Sequence, residues 1–235
     1  MTILAIDTSN YSLGVALLEE NLVLGEYITN LKKNHSVRIM PAIQTLMKDC
    51  DRFPKDITKI VVAKGPGSYT GVRIGVTIAK TMAWSLKIPL AGVSSLEILA
   101  AGTGRYFDGF VSPLFDARRG QVYTGLYAYQ DGKLTVVKED RLVMLADWVE
   151  SLKGASRPVL FVGNDLPLHQ ATIEASLSSQ ALFAASTEQN PRPSELAFLG
   201  KDKQDEDIHS FVPNYIRLAE AEAKWLEVNR GNLNG

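Results

Sequence analysis

Residues 60–71, Ile60-Val61-Val62-Ala63-Lys64-Gly65-Pro66-Gly67-Ser68-Tyr69-Thr70-Gly71, open on four apolar residues and close on a glycine-rich turn. A strand apolar at every position suits a parallel strand covered on both faces. The turn leads into a helix that runs to about Leu86, followed by a strand from Leu90 to Val93 and a helix through Leu96-Glu97-Ile98-Leu99. Upstream, Ile3 to Ile6, Ser12 to Glu19 and Leu22 to Ile28 read as a three-strand antiparallel meander. Between meander and glycine turn, Ile39, Met40, Ile43, Leu46, Met47 and Cys50 share one face of a helix. Ser36 is its expected cap and Pro41 a local irregularity. The order is β-β-β-α-β-α-β-α.

The same order returns from Phe110. Strands are expected at Val111 to Asp116, Gln121 to Tyr129 and Leu134 to Lys138, a helix at Leu145 to Leu152 and a strand at Val159 to Val162. A helix near Leu168 to Ala175, an apolar stretch Ala181 to Ala185 and a helix at Ser194 to Leu199 complete the copy. Both first strands end in an aspartate, Asp7 and Asp116. Two such halves describe the duplicated ribonuclease-H-like architecture of actin, Hsp70 and sugar kinases. The expected fold is therefore α/β and actin-like, with subdomains at 1–104 and 105–203 and a C-terminal segment 204–235 carrying a helix from Ala219 to Asn229.

Bulk composition narrows the function. The 235 residues are 46% apolar and carry a formal net charge of −1, with paired basic residues only at Lys32-Lys33 and Arg118-Arg119. No electrostatic stripe tracks a phosphate backbone, so the chain alone is expected to bind nucleic acid weakly if at all. Cys50 is the single cysteine, the N-terminus reaches Asp7 too early for a signal peptide, and no apolar run approaches the roughly 20 residues of a membrane helix. A cytoplasmic protein is expected, with no membrane partner.

The glycine turn admits two chemistries. Gly65, Gly67 and Gly71 suit an anion site at a helix N-terminus. A Walker-type loop would place Lys-Ser/Thr after the last glycine, where Val72-Arg73 stands. The alternative is a tight turn with Ser68 or Thr70 as N-cap. In the helix that follows, Ile74, Ile78, Met82 and Leu86 make one apolar face, while Gly71, Gly75, Ala79 and Ala83 make a small-residue stripe flanked by Val72 and Val76. Together they span about 200° on a helical wheel, roughly twice what one sheet accounts for. The second neighbour is either the helix that follows Ser36 or a helix of another subunit. If the latter, Val72, Gly75, Val76, Ala79 and Ala83 form the partner interface, and Ala79→Glu abolishes association while leaving the monomer folded.

The segment Gly65-Pro66-Gly67-Ser68-Tyr69-Thr70-Gly71-Val72-Arg73-Ile74-Gly75 resembles the signature of the TsaB (YeaZ) family. Ile3 to Ser9, His35-Ser36 to Pro41, Phe115 to Tyr123 and Pro213-Asn214-Tyr215-Ile216-Arg217 are similar to it too, so the resemblance covers nearly the whole chain. It implies an inactive paralogue of TsaD that supports TsaD and the ATPase TsaE in transferring threonylcarbamoyl from its adenylate to the adenosine beside the tRNA anticodon. It also implies contact with tRNA only through the complex and no cofactor, while the small-residue surface of the second helix, if exposed, could pair with itself to give a two-fold homodimer when the chain is alone. Where TsaD carries two metal-binding histidines at i, i+4, this chain has Ser95 and Leu99, which supply no imidazole nitrogen; His35, His169 and His209 lack ligand spacing and are expected on the surface or at caps. The turns after Asp7 and Asp116 lack the phosphate-loop glycines of actin-like ATPases, and the adenosine-binding double glycine is reduced to Val162-Gly163-Asn164-Asp165. No catalytic, metal or nucleotide site is expected, and Asp7 and Asp116 are read as turn or cap aspartates, with a relic metal or phosphate contact as the other reading. A lone actin-fold ATPase or kinase, or a metallopeptidase, are the competing functions.

Overall fold

Strand β1 (Thr2–Asp7) is buried along its whole length, which requires partners on both edges and cover on both faces. The computed structural model supplies them and describes residues 1–31 and 34–216. Strands β2 (Leu13–Glu19) and β3 (Leu22–Thr29) continue from one edge as antiparallel neighbours, and β4 (Lys59–Ala63) and β5 (Leu90–Val93) pair in parallel on the other, in the order β3-β2-β1-β4-β5. The second sheet repeats this. Strands β6 (Phe110–Asp116), β7 (Gln121–Gln130), β8 (Lys133–Met144), β9 (Val159–Val162) and β10 (Ala181–Phe183) lie in the order β8-β7-β6-β9-β10, with the same parallel and antiparallel pairings. Both halves of the expected α/β, actin-like duplication are present.

Alternation along the strands decides which helix covers which face. On the first sheet, Leu4, Ile6, Ile60 and Val62 face helices α1 (His35–Asp49) and α2 (Tyr69–Leu86). Their neighbours Ile3, Ala5, Val61 and Ala63 face the opposite way, onto Leu196 and Ala197 of α6 (Pro193–Lys201). On the second sheet, Leu114, Val122 and Phe161 pack against α4 (Leu145–Glu150) and α5 (Gln170–Leu177). Its other face, with Val111, Phe115 and Val162, packs on Leu96, Leu99 and Ala100 of α3 (Ser95–Thr103). The last helix of each half therefore covers the other half's sheet. The contiguous divisions 1–104 and 105–203 do not coincide with the packing, because α6 belongs to the first sheet.

The exchange is fixed by close contacts. A Cβ on Gly200 would lie 2.1 Å from Val61 Cγ1. The buried Lys59 ammonium donates to the carbonyls of Lys201 and Lys203 at 3.2 and 2.9 Å, closing the C-terminal end of α6. At α3, the N-cap Ser94 accepts from Leu96 and Glu97 N–H and donates to the Asp140 carboxylate of β8, which also accepts from Tyr127. Burial raises the Asp140 carboxyl, and the Tyr127 hydroxyl is raised by burial and by that neighbouring carboxylate.

Local differences from the expectations have local causes. Asn34, not Ser36, caps α1, its Oδ1 accepting from Ser36 N–H at 3.0 Å. β8 runs six residues beyond Lys138 because its polar residues lie on an edge strand that sequence alternation alone does not flag. The expected helix Ala219 to Asn229 and the pair Lys32-Lys33 lie outside the described residues.

Candidate functional site

The turns that follow the two aspartate-ended strands, Thr8–Ser12 and Ala117–Gly120, border one cleft of ≈ 610 Å³ together with the glycine turn and residues 214–216. In the first turn, Asp7 Oδ1 accepts from Ser9 N–H at 2.8 Å and Ser9 Oγ–H at 2.7 Å, the turn geometry expected of an aspartate. Burial raises the Asp7 carboxyl; those two bonds and the nearby His35 offset part of the rise. Asn10 Oδ1 repeats the motif on Ser12, and His35 Nε2–H donates to the Asn10 carbonyl at 3.0 Å, tying the turn to the start of α1.

That turn fills the place an anion would take on the glycine loop. A Cβ on Gly67 would sit 2.1 Å from the Ser9 carbonyl oxygen, and one on Gly71 2.2 Å from that of Thr8. Ser68 N–H donates to Ser9 O at 2.7 Å, and Thr8 Oγ1–H donates to Gly71 O at 2.7 Å. Ser68, rather than Thr70, caps α2, accepting from Gly71 N–H at 3.2 Å. The glycines are thus accounted for by close packing of the chain's own backbone. Gly65 and Pro66 are buried behind them, with the Asn214 carbonyl against Gly65.

The outward side of the same segment is aromatic. Arg73 stacks over the Tyr69 ring at 4.1 Å, its Nε–H donates to the Tyr215 hydroxyl at 2.6 Å, and the two rings lie 5.3 Å apart. The cluster joins the helix start to the segment after Asn214, which is held by Asn214 N–H on Lys64 O at 2.7 Å. Residues 204–216 therefore dock on the first half, with Phe211 buried against its core.

Across the cleft, Arg118, Arg119 and Gly120 take left-handed φ angles of 66°, 55° and 73° in succession. Two consecutive non-glycine residues in that region are uncommon. Asp116 is not a simple turn aspartate: its N–H donates to Asp165 Oδ2 at 2.9 Å and its Oδ1 meets His169 Nε2 at 3.1 Å. His169 is accordingly buried, and it takes the N-cap position of α5, the second of the two places expected for it. Burial raises the Asp165 carboxyl, and the Asp116 charge adds to the rise.

Apart from Val72 at the cleft's edge, the small-residue stripe lies elsewhere. Val72, Gly75, Val76, Ala79 and Ala83 are buried against the sheet within this chain. The interface expected on them is corrected, because side chains covered by their own sheet are not available to a second subunit. Ile74, Ile78, Met82 and Leu86, expected to form one apolar face beside it, are the partly buried flank. Ser95 is fully buried, its Oγ accepting from Gly65 N–H at 3.2 Å, and Leu99 is packed in the core of the second half. Among the described residues no group of three or more His, Cys, Asp or Glu is arranged to hold a metal ion, and no helix is long and apolar enough to cross a membrane. Tyr11 lines the cleft without any sequence signal that singled it out, whereas Tyr123 and Asp165, which line it too, lie in the segments already quoted as similar to the family and as the reduced double glycine.

With this geometry in place, the likeness to known proteins is informative. The family model described as "TsaD: tRNA N6-adenosine threonylcarbamoyltransferase" matches residues 23–225. A Bacillus subtilis (strain 168) protein named tRNA threonylcarbamoyladenosine biosynthesis protein TsaB is 66% identical over 227 residues, 97% of this chain and 99% of that protein. A crystal structure described as an uncharacterized protein with similarity to peptidase YEAZ, from Pseudomonas aeruginosa, shares 25% identity at a TM-score of 0.79, over 92% of this chain and 99% of that one. The ROK hexokinase of Thermus thermophilus superposes with a TM-score of 0.51 at 9% identity, over 85% of this chain and 99% of that one, a likeness of fold alone.

Proposed function

Because the chain belongs to the TsaB family of tRNA threonylcarbamoyladenosine biosynthesis proteins, we propose that it is the non-catalytic subunit supporting TsaD, with the ATPase TsaE, in that modification. The observation that carries this reading is the pair Ser95 and Leu99. By the family resemblance they take the positions of the catalytic relative's metal-binding histidines, and here they are sealed into the core, Ser95 bonded to the glycine turn and Leu99 packed on the second sheet. The occupied glycine loop argues against a lone actin-fold ATPase, since the Ser9 and Thr8 carbonyls crowd the positions where phosphates would approach.

TsaD is expected to dock on the outer faces of α1 and α2, the two helices that cover one face of the first sheet. Val37 and Met40 of α1 and Trp84 of α2 are exposed large apolar residues at 68%, 39% and 64%. These faces replace the small-residue stripe as the interface, and the exposed start of α1, with Val37 and Met40, is suited to a two-fold homodimer when the chain is alone. A cytoplasmic location, and contact with tRNA through the complex alone, go with this role.

Reconstitution tests it. TsaD and TsaE with tRNA and threonylcarbamoyl-adenylate should modify tRNA only when this chain is added, and the chain alone should modify none. The double variant Val37→Asp/Met40→Asp should keep its melting temperature while losing co-elution with TsaD and most of its support. Full modification by TsaD and TsaE without the chain would overturn the role.

A further inference from the structure

Four buried side-chain atoms find no hydrogen-bond partner among the described residues: Asp7 Oδ2, Asn10 Nδ2, His35 Nδ1 and Arg38 Nη1. Polar atoms shut away from solvent are ordinarily paired, so each of these calls for a partner. All four belong to one neighbourhood, where the turn after β1 meets the start of α1. Asp7, 2% exposed, ends β1 in register with Gly14 of β2, and Leu13 beside it pairs with Thr29 of β3. Thr29 Oγ1 accepts from Arg38 Nη2, one helical turn beyond His35, and His35 Nε2 reaches back to the Asn10 carbonyl. Burial raises the Asp7 carboxyl, and His35 is near enough to offset part of that rise. Of the four residues only Asn10 borders the cleft.

The bonds these residues already make fix what each remaining atom offers. Asn10 Oδ1 accepts from Ser12 N–H and Oγ–H, which leaves Nδ2 as a donor. A carbonyl oxygen only accepts, so His35 Nε2 carries the proton it gives to Asn10 O, and Nδ1 of the neutral ring is an acceptor. Asp7 Oδ1 is taken by Ser9, so Oδ2 is the second acceptor, while Arg38 Nη1 only donates. The set is two acceptors and two donors. An anion would be opposed by the Asp7 carboxylate. A metal ion could be ligated by Asp7 and His35, yet it would be opposed by the N–H groups of Asn10 and Arg38. A water molecule donates twice and accepts twice, and satisfies all four.

We infer that one water molecule is bound at the head of α1, donating to Asp7 Oδ2 and His35 Nδ1 and accepting from Asn10 Nδ2 and Arg38 Nη1. It ties the end of β1 to the first turns of α1, which makes Asp7 a positioning residue for that helix. The site stands apart from the supporting role and is tested on the chain alone, so its failure leaves that role untouched.

A high-resolution crystal structure of the full chain should show one water at hydrogen-bond distance, roughly 2.7–3.2 Å, from at least three of the four atoms. Direct bonds among those atoms, separate waters on each, or a metal ion or anion identified there by anomalous scattering would overturn the inference. In solution, nitrogen-15 NMR should find His35 held as the Nε2–H tautomer with Nδ1 accepting a hydrogen bond; an Nδ1–H tautomer counts against it. Arg38→Met removes one donor. Amide hydrogen exchange at Ile39 and Met40 should then speed up about ten-fold, the worth of one hydrogen bond to a charged group, with exchange at Leu46 and Met47 unchanged. Thr29→Val removes only the other bond of Arg38 and should speed exchange at Ile39 and Met40 less. Equal acceleration at both ends of α1, no acceleration at all, or an equal effect of Thr29→Val sinks the proposal. Should Arg38→Met fail to fold, the crystal structure and the His35 tautomer decide.

Discussion

Single residues in this chain carry costs that their sequence neighbourhood hides. Gly71 is a helical glycine, and at an open helical site alanine would stabilise by roughly 0.5–1 kcal/mol. Here the added methyl would lie 2.2 Å from the Thr8 carbonyl oxygen, and backbone has little room to retreat. Gly71→Ala is therefore expected to destabilise by about 2–4 kcal/mol, read from the denaturant midpoint at unchanged slope. Asp7 offers a test by pH. Its carboxyl is raised by burial, so between the ordinary Asp value and the raised one the native state holds a proton that the unfolded chain has released. In that window stability falls as pH rises. Asp7→Asn keeps an oxygen for Ser9 and removes the titration. The variant should gain stability relative to the parent at neutral pH, and the gain should close as pH drops below about 4. A difference that does not change with pH would show that desolvation of Asp7 is not felt.

At the level of elements, the strands and their order were legible because burial imposes an alternation that survives in sequence. β5 and β9 fall on the residues the apolar runs mark, and β1 to β4 follow within a residue or two. The orientation of α2 was not legible. A wheel separates the isoleucine face from the small-residue stripe, yet it does not say which one a sheet prefers. Closeness decides: Thr8 lies 2.6 Å from where a Gly75 Cβ would be, and Ala79 is fully buried, so the helix approaches the sheet along its smallest residues and leaves Ile74 and Ile78 on the flank. Ala79→Glu should consequently unfold the chain or cost about 4 kcal/mol or more, since a carboxylate would be driven into an apolar interface. A folded Ala79→Glu monomer, seen by circular dichroism and thermal melting, would contradict this packing. The cleft was legible only in part. Tyr69, Tyr123 and Tyr215 lie in segments similar to the family's and Asp165 in the motif that stands for the lost double glycine, whereas Tyr11 is brought to it by a turn that no local pattern records.

For the molecule as a whole, the exchanged helices make the halves interdependent. α6 supplies Leu196 and Ala197 to the first sheet, and α3 supplies Leu96, Leu99 and Ala100 to the second. Ion pairs cross the same junction: Arg192 with Glu26, Arg105 with Glu195 at 2.7 Å, and Lys203 with Glu97 at 2.8 Å. A fragment of residues 1–104 should thus fail to fold cooperatively, because Ile3, Ala5, Val61 and Ala63 would face water; full burial of Ile3 or Val61 contributes roughly 1.5–3 kcal/mol each, and of the two alanines about 0.8 kcal/mol each. Adding residues through 203 should restore a single sharp transition. A cooperative melt of the 1–104 fragment alone would show that α6 is dispensable.

The helix exchange also sets a timetable for synthesis. The first sheet and α1 to α3 leave the ribosome together, but one face of that sheet waits for α6, which begins about 90 residues after α3 ends at Thr103. At roughly 5–20 residues per second that is an interval of about 5–18 s during which an apolar sheet face is open on a nascent chain. The chain must therefore complete its first half last, and a chaperone that shields nascent apolar surface would find its target there.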